Sequence, residues 1–232
     1  MLSSERRSSA RAGVNHVQAR AEEDGSGERA TVHLAIFSTK TATLRVIDDA
    51  AETHARLAET MRRENCIAGV NGGYFDPENA PVGLLVSDGR LIAPLRKARL
   101  LSGVMSVVDG RVWIQRPAEY SPKSKPSAAR QCGPFLVNAA QPIAGLNNTR
   151  FARRTFVATG GGQQAAIGYC SSVTLAQLGA LLATPGLAPE LKVQRALNLD
   201  GGSSSGFWFS GEKDFSLPEY KTVRDYVAVV PK

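Results

Sequence analysis

Alternating apolar and polar residues predict strands along most of this chain. The pattern indicates strands at residues 31–38, 43–47, 67–71, 82–86, 91–92, 104–108, 112–115, 134–138, 156–159, 165–169, 193–199, 207–209 and 226–230. The first two are separated by a short polar stretch, so we expect them to pair. Asp88-Gly89 and Asp109-Gly110 each separate two apolar runs, which predicts type I′ hairpin turns.

Two segments have the periodicity of an amphipathic helix. Residues 50–65 place Leu57 and Met61 on one face. Thr174 and Gln177 are spaced as a capping box that opens the second helix. Many strands with two or three helices predict a single α+β domain with mixed or antiparallel sheets.

The first thirty residues lack this patterning. They are rich in Ser, Ala and Arg and then become acidic, so we expect residues 1–30 to be a disordered or tag-like tail and residues 31–232 to be the folded domain. No apolar segment typical of a secretory signal is visible. No apolar run reaches the roughly 18–20 residues that a membrane span needs. These observations leave the compartment and the oligomeric state open.

Basic residues are concentrated in the middle of the chain. The chain of 232 residues is 43% apolar, enough for one core, and its net charge is +7. Residues 90–154 contain twelve Lys and Arg against only Asp109 and Glu119. A basic region suits an anionic ligand such as a phosphate or an acidic glycan, although a solvated basic face is the commoner explanation. The lack of zinc-finger, RRM and basic-zipper patterns argues against nucleic acid.

The three cysteines, Cys66, Cys132 and Cys170, lack the C-x-x-C spacing of zinc or thioredoxin-like sites. An odd number allows at most one disulfide, and the sequence leaves the pairing open.

The first candidate site is a polar loop that follows the predicted strand at residues 67–71. It supplies an amide, two glycines, a phenol, an aromatic ring and a carboxylate, from Asn71, Gly72, Gly73, Tyr74, Phe75 and Asp76. The glycines allow unusual φ values and a close approach of the backbone to a ligand. A structural turn closed by Asp-Pro is the alternative. The next apolar run begins several residues later, which disfavours a tight hairpin.

The second candidate site follows the strand at residues 193–199. It supplies a carboxylate and small residues, from Asp200, Gly201, Gly202, Ser203 and Ser204. Backbone N–H groups in such a stretch can form an anion-binding nest, and Asp200 can act as an acid, a base or a nucleophile. A surface Gly/Ser turn is the alternative.

Residues 202–206 also match G-x-S-x-G, the nucleophile elbow of α/β-hydrolases. In that fold the histidine follows the serine in the chain. His16, His33 and His54 all precede Ser204, so this interpretation fails on chain order.

Arginines and oxygen ligands complete the candidate chemistry. Arg153 and Arg154 are adjacent, and since strand side chains alternate, at most one should point into a site that binds phosphate. Arg224 is a weaker candidate. Asp76, Asp200 and Asn71 could ligate calcium or magnesium, but oxygen ligands alone give no recognisable spacing.

Taken together, these motifs resemble the phosphodiester glycosidase family over about residues 31–232. The matching segments, in chain order, are residues 71–75, Pro81-Val82-Gly83-Leu84, Gly133-Pro134, Arg154-Thr155 and residues 199–204. Any one segment is weak, whereas five in the same order are specific. The family includes N-acetylglucosamine-1-phosphodiester alpha-N-acetylglucosaminidase and many bacterial members.

The resemblance implies hydrolysis of a small-molecule or glycan sugar-1-phosphodiester to a free sugar and a phosphomonoester. Asp200 and Asp76 are the catalytic candidates for stabilising an oxocarbenium-like transition state, with Asp200 the stronger. The implied substrate-binding residues are Asn71, Gly72, Gly73, Tyr74, Phe75, Arg154, Thr155, Gly201, Gly202, Ser203, Ser204 and Arg224.

The resemblance also implies a periplasmic or extracytoplasmic location. Two alternatives stay open: a non-catalytic module that binds an anionic glycan or cell-wall polymer, and a phosphodiesterase that cuts the P–O bond.

Overall fold

The computed structural model describes residues 7–22, 29–49 and 56–232, which form mostly antiparallel sheets. The two α-helices of these residues are α1 (Leu57–Arg63) and α2 (Leu175–Ala183), and 3-10 turns cover Pro122–Ser124 and Gly202–Ser204. The strands, in chain order, are β1 (Arg7–Arg11), β2 (Val14–Glu22), β3 (Arg29–Ser38), β4 (Ala42–Asp48), β5 (Ala68–Asn71), β6 (Leu85–Ser87), β7 (Arg90–Ala93), β8 (Gly103–Val108), β9 (Arg111–Gln115), β10 (Ala128–Cys132), β11 (Phe135–Asn138), β12 (Gln141–Pro142), β13 (Ala152–Gly160), β14 (Gln164–Val173), β15 (Val193–Asn198), β16 (Phe207–Phe209), β17 (Phe215–Leu217) and β18 (Asp225–Pro231). This β-rich architecture is consistent with the predicted α+β class.

The strands form three sheets that share one apolar core. The large sheet has the order β1-β2-β3-β14-β13-β15-β11-β12, and the two smaller sheets have the orders β7-β6-β10-β8-β9 and β17-β16-β5-β18-β4. Phe37 and Val157 of the large sheet meet Met105 of the second sheet and Phe207 and Val229 of the third in this core. The arrangement packs the smaller sheets against one face of the large sheet.

The helices cover the outer faces. Leu178 and Leu182 of α2 pack on the face of the large sheet that points away from the shared core. The predicted capping box is present, because the Gln177 backbone N–H donates to the Thr174 hydroxyl at 3.1 Å and the Thr174 N–H donates to the Gln177 side chain at 3.0 Å. Met61 of α1 packs against the third sheet, where a Cβ at Gly69 would lie 2.1 Å from its sulfur.

The two predicted Asp-Gly hairpins are confirmed. Asp88 and Gly89 have φ values of 48° and 75°, and Asp109 and Gly110 have 50° and 70°. Both residues of each pair therefore have the positive φ that a type I′ turn needs. The turns join β6 to β7 and β8 to β9, which pair antiparallel.

The predicted disordered tail is wrong for residues 7–22. These residues form β1 and β2, and β2 continues the large sheet by pairing with β3 from Val14, opposite Phe37, to Glu22, opposite Arg29. Val14 and Val17 are buried there, so a few apolar residues suffice when an adjacent strand supplies the backbone partners. Residues 1–6 and 23–28 lie outside the described residues.

Three further features of the secondary structure differ from the predictions. The strands β3 and β4 do not pair with each other: β3 pairs with β2 and β14, and β4 pairs with β18. Helix α1 is described only from Leu57, and residues 50–55, which include His54, lie outside the described residues. Ala128–Cys132, where no strand was predicted, forms the fully buried strand β10.

The cysteines are free and buried, so none of them pairs. Burial raises the pKa of the Cys66 thiol to about 11 and that of Cys132 and Cys170 to about 12. No helix within the described ranges is long and apolar enough to cross a membrane.

Candidate active site

The two polar loops predicted to carry chemistry meet in the structure. The first follows β5 and the second follows β15. The Asn71 side-chain amide donates to the Asp200 carbonyl oxygen at 2.7 Å, and the Asp200 N–H donates to the Gly72 carbonyl oxygen at 3.0 Å. Residues separated by 129 positions in the chain are therefore held side by side.

Asn71 and Thr155 fasten this junction from inside the protein. The Thr155 hydroxyl lies 2.8 Å from Asn71 Oδ1 and 3.0 Å from the Asp200 carbonyl oxygen. Asn71 Oδ1 also accepts the Gly206 N–H at 3.3 Å. Asn71 and Thr155 are buried, so these two predicted substrate-binding residues position the loops.

Gly72 and Gly73 are needed for close packing. Neither has a positive φ, which differs from the expectation of an unusual backbone conformation. A Cβ at Gly72 would lie 1.7 Å from Asp225 Oδ1, and a Cβ at Gly73 would lie 2.5 Å from the guanidinium carbon of Arg130. The backbone therefore approaches a buried ion pair of the protein itself.

This ion pair of Arg130 and Asp225 is a feature that the sequence reasoning missed. Both side chains are fully buried, and Arg130 Nη2 lies 3.0 Å from Asp225 Oδ2. Arg130 also donates to the Tyr74 carbonyl oxygen at 2.6 Å, while Asp225 Oδ1 accepts the Gly73 N–H at 3.2 Å. The pair thus fixes the backbone of the first loop. No local motif marks it, because its partners lie 95 residues apart.

Tyr74 is affected by the charges of Asp200 and Arg154. Its hydroxyl donates to the Gly133 carbonyl oxygen. Burial raises the pKa of Tyr74 well above its ordinary value, the negative charge of Asp200 raises it further, and the positive charge of Arg154 lowers it. The charges of Asp200 and Arg154 therefore both act on Tyr74.

Asp200 is a partly buried carboxylate. Its Oδ1 accepts the Gly201 N–H at 2.9 Å. Burial raises the pKa of Asp200 above its ordinary value, while the Ser204 hydroxyl and the positive charge of Lys221 act in the opposite direction. The second loop turns at Gly202, whose φ is +68°, and Ser204 is fully buried.

Asp76 has a different environment. Its Oδ1 accepts the Ala80 N–H at 2.7 Å, and its own N–H donates to the Ala80 carbonyl oxygen at 3.0 Å. The carboxylate therefore closes a turn within its own loop.

Arg154 is a buried cation without a carboxylate partner among the described residues. Its Nη2 donates to the Arg150 carbonyl oxygen at 2.9 Å and its Nε to the Val173 carbonyl oxygen at 3.4 Å. A Cβ at Gly201 would lie 3.3 Å from Nη1, so the guanidinium runs beside the second loop. Burial and the charge of Arg150 lower the pKa of Arg154. A buried guanidinium that has no carboxylate partner favours the binding of an anion.

Arg153 and Tyr220, which lie outside the predicted set, hold the second loop from the solvent side. Arg153 donates to the Gly202 carbonyl oxygen at 3.2 Å, and its guanidinium lies 3.6 Å over the ring of Tyr220. The Tyr220 N–H donates to the Ser203 carbonyl oxygen at 2.7 Å. Lys221 Nζ lies 4.6 Å over the ring of Phe75 in the first loop, and its positive charge acts on Asp200. Nothing in the sequence around residues 218–221 indicates this role.

Arg224 is engaged elsewhere. Its Nη2 lies 2.6 Å from Asp48 Oδ1, and both side chains are mostly buried. The structure therefore gives this predicted substrate-binding residue an ion-pair partner of its own.

Two of the three possible calcium or magnesium ligands form hydrogen bonds within the protein. Asn71 Oδ1 already accepts from Gly206 and faces Thr155, and Asp76 closes its own turn. Within the described part of the chain, no group of three or more His, Cys, Asp or Glu is arranged to hold a metal ion.

His16 and His33, set aside as nucleophile partners, form a separate pair. His16 lies in β2 and not in a tail, and its Nε2 is 3.1 Å from His33 Nδ1. Phe207, Phe209 and Phe215 surround them. Burial lowers the pKa of each histidine to about 4, so the pair is neutral near pH 7.

Comparison with known proteins gives one family. The family model for phosphodiester glycosidases matches residues 64–230. Comparison with curated proteins finds no match.

Solved structures resemble this fold at low sequence identity. One is the zebrafish N-acetylglucosamine-1-phosphodiester alpha-N-acetylglucosaminidase catalytic domain, auto-inhibited by a pro-peptide. It has a TM-score of 0.71 and 14% identity over 99% of this chain and 86% of that chain. Another is a hypothetical protein from Synechocystis, with a TM-score of 0.71 and 13% identity, covering 95% of this chain and 62% of that one. These likenesses support the fold.

Proposed function

This chain belongs to the phosphodiester glycosidase family, and we propose that it hydrolyses a sugar-1-phosphodiester to a free sugar and a phosphomonoester. The observation that carries the proposal is Arg154, a buried guanidinium without a carboxylate partner in the described chain, beside the loop that bears Asp200. A phosphodiester supplies the negative charge that this position lacks. Arg150 and Lys221 add positive charge around the same loop.

The reaction breaks the bond between the sugar C1 and the phosphate oxygen. The phosphomonoester leaves as a stable anion, so it needs charge stabilisation more than protonation, and Arg154 is our candidate for that role. Water adds its oxygen to C1, and the proton that it releases is taken up by solvent. The products are a free sugar and a phosphomonoester.

Asp200 is our candidate for stabilising the positive charge that develops at C1. Its carboxylate is partly shielded from solvent, where an ion pair with an oxocarbenium-like sugar is stronger than in water. Asn71 and Thr155 hold its backbone and Gly201 donates to its side chain, so its position is fixed before substrate arrives. Asp76 remains a second candidate, with a turn-closing contact that favours a role in shaping the first loop.

The test is an incubation with phosphodiesters that join sugar-1-phosphates, N-acetylglucosamine first, to simple alcohols. Free sugar and alkyl phosphate are followed by mass spectrometry, with calcium, with magnesium and with a chelator. We expect turnover by the wild type and by Asp109→Asn, a surface control, and loss of turnover in Asp200→Asn. Saturable binding without turnover across a panel of sugars would overturn the proposal in favour of a binding module.

A further inference from the structure

The loop between β7 and β8 carries an unusual surface. Residues 94–100 are all exposed, and they include the cations Arg96, Lys97 and Arg99. Leu95 and Leu100 are 40% and 69% exposed in the same stretch. No carboxylate of the described residues forms an ion pair with these cations. We call residues 94–102 the basic loop.

The basic loop is fixed in place by buried contacts. The Gln131 side chain is buried; it accepts the Arg96 N–H at 3.0 Å and donates to the carbonyl oxygens of Arg96 and Leu101 at 2.7 and 3.1 Å. The Ser102 hydroxyl accepts the Phe135 N–H at 2.9 Å. The exposure of the two leucines is therefore a property of an anchored loop, and exposed apolar groups of this kind mark interaction sites.

An apolar cleft of about 740 Å³ lies under this loop. Leu95, Leu101 and Pro117 are among its lining residues, together with the three cations. The loop also adjoins the candidate active site. A Cβ at Gly133, whose carbonyl accepts the Tyr74 hydroxyl, would lie 2.1 Å from the Leu100 carbonyl oxygen.

We propose that the basic loop docks the protein on an anionic lipid surface. Arg96, Lys97 and Arg99 would meet the phosphate headgroups, while Leu95 and Leu100 enter the boundary between headgroups and acyl chains. Clustered cations near apolar side chains are the combination that binds anionic bilayers, since the charges are attracted to the surface and the apolar groups leave water. A soluble polyanion would use the cations and leave the leucines in water.

The test is sedimentation of the full chain with vesicles, either of phosphatidylcholine alone or of equimolar phosphatidylcholine and phosphatidylglycerol. We expect binding to the anionic vesicles only, weakened by salt. Lys97→Glu/Arg99→Glu should lower the partition coefficient at least about tenfold, since each basic residue near such a surface contributes about 1 kcal/mol. Leu95→Ser/Leu100→Ser should lower it too, although it leaves the charge unchanged.

The matched control is Lys40→Glu/Lys192→Glu, which makes the same change of charge at exposed positions of other loops. An equal loss of binding in this control would overturn the proposal, because net charge alone would then explain attraction. Full binding by Leu95→Ser/Leu100→Ser, or binding of soluble polyphosphate in place of vesicles, would also overturn it. Hydrolysis of a soluble substrate is measured in the same variants and should stay within about threefold of wild type, so this proposal and the proposed function fail independently.

Discussion

Asp76 and Asp200 occupy similar positions in the sequence, but their carboxylates have different environments in the structure. Each belongs to a loop in which two glycines follow a buried strand. The Asp76 carboxylate accepts the N–H of Ala80 four residues later, within its own turn. The Asp200 carboxylate is partly buried, and burial raises its pKa.

The difference comes from what holds each loop. The backbone around Asp200 is bonded to Asn71, Gly72 and Thr155, which come from two other strands or strand ends. Asp76 lies where the first loop returns toward solvent, beyond the contacts of Arg130 and Asp225. A carboxylate held from several elements is suited to chemistry, whereas one bonded to its own turn is suited to shaping a loop.

The largest expected effect separates the two carboxylates directly. Asp200→Asn should lower kcat by about 10²- to 10⁴-fold, because a neutral amide cannot stabilise positive charge at the sugar carbon. Asp76→Asn keeps an acceptor for the Ala80 N–H and should stay within about fivefold of wild type. Steady-state kinetics on one sugar-1-phosphodiester measures both, and equal losses in the two variants would erase the distinction.

The support of the first loop is tested by unfolding. Arg130→Met leaves Asp225 buried without its partner, so the free energy of unfolding should fall by about 3–5 kcal/mol. Arg62→Met, which breaks the more exposed pair with Asp214, should cost less than about 1 kcal/mol. Denaturant titrations give both values. A small decrease in the free energy of unfolding for Arg130→Met would mean that the ion pair does not hold this loop.

The proposed anion-binding role of Arg154, in β13 beside the second loop, is tested by substitution. Arg154→Met should lower kcat/KM by about 10²-fold, and Arg154→Lys should recover only part, since an ammonium lacks the bidentate geometry. The control Arg195→Met removes a surface partner of Glu119 and should have little effect. Inhibition by inorganic phosphate should weaken in parallel with kcat/KM for Arg154→Met. Undiminished phosphate inhibition in that variant would place the anion elsewhere.

The smallest expected effect concerns pH. Because the pKa of Asp200 is raised, activity that needs its ionised form should fall with decreasing pH sooner than it would for an exposed aspartate. The charge of Lys221 lowers this pKa, so Lys221→Gln should move the acid limb of the kcat/KM profile upward by less than about one pH unit. Lys221→Arg keeps the charge and should leave the limb in place. A downward shift for Lys221→Gln would have the wrong sign for this account.

The strand ends and hairpins were predictable because they depend on local chemistry. Asp88-Gly89 and Asp109-Gly110 favour positive φ wherever they occur between strands, and Thr174 with Gln177 caps a helix without help from the rest of the fold. The meeting of the two loops followed from family resemblance, and the structure gives its physical basis in Asn71 and Thr155.

The missed features depend on distant partners. Arg130 follows a stretch of Lys, Ser and Pro that is typical of a surface loop, and its burial depends on the distant Asp225 and Tyr74. The strand β2 has few apolar residues, and its place depends on the backbone of β3. Lys221 contacts the ring of Phe75 in the first loop, and no spacing in the sequence indicates this contact.

The most direct test of the proposed reaction is the fate of the water oxygen. The wild-type protein is allowed to hydrolyse a sugar-1-phosphodiester in water enriched in oxygen-18, and both products are analysed by mass spectrometry. Cleavage at the sugar carbon, assisted by Asp200, predicts that the label enters the free sugar and is absent from the phosphomonoester. Label in the phosphomonoester would contradict the account, since it would mean that water attacks phosphorus and that the protein is a phosphodiesterase.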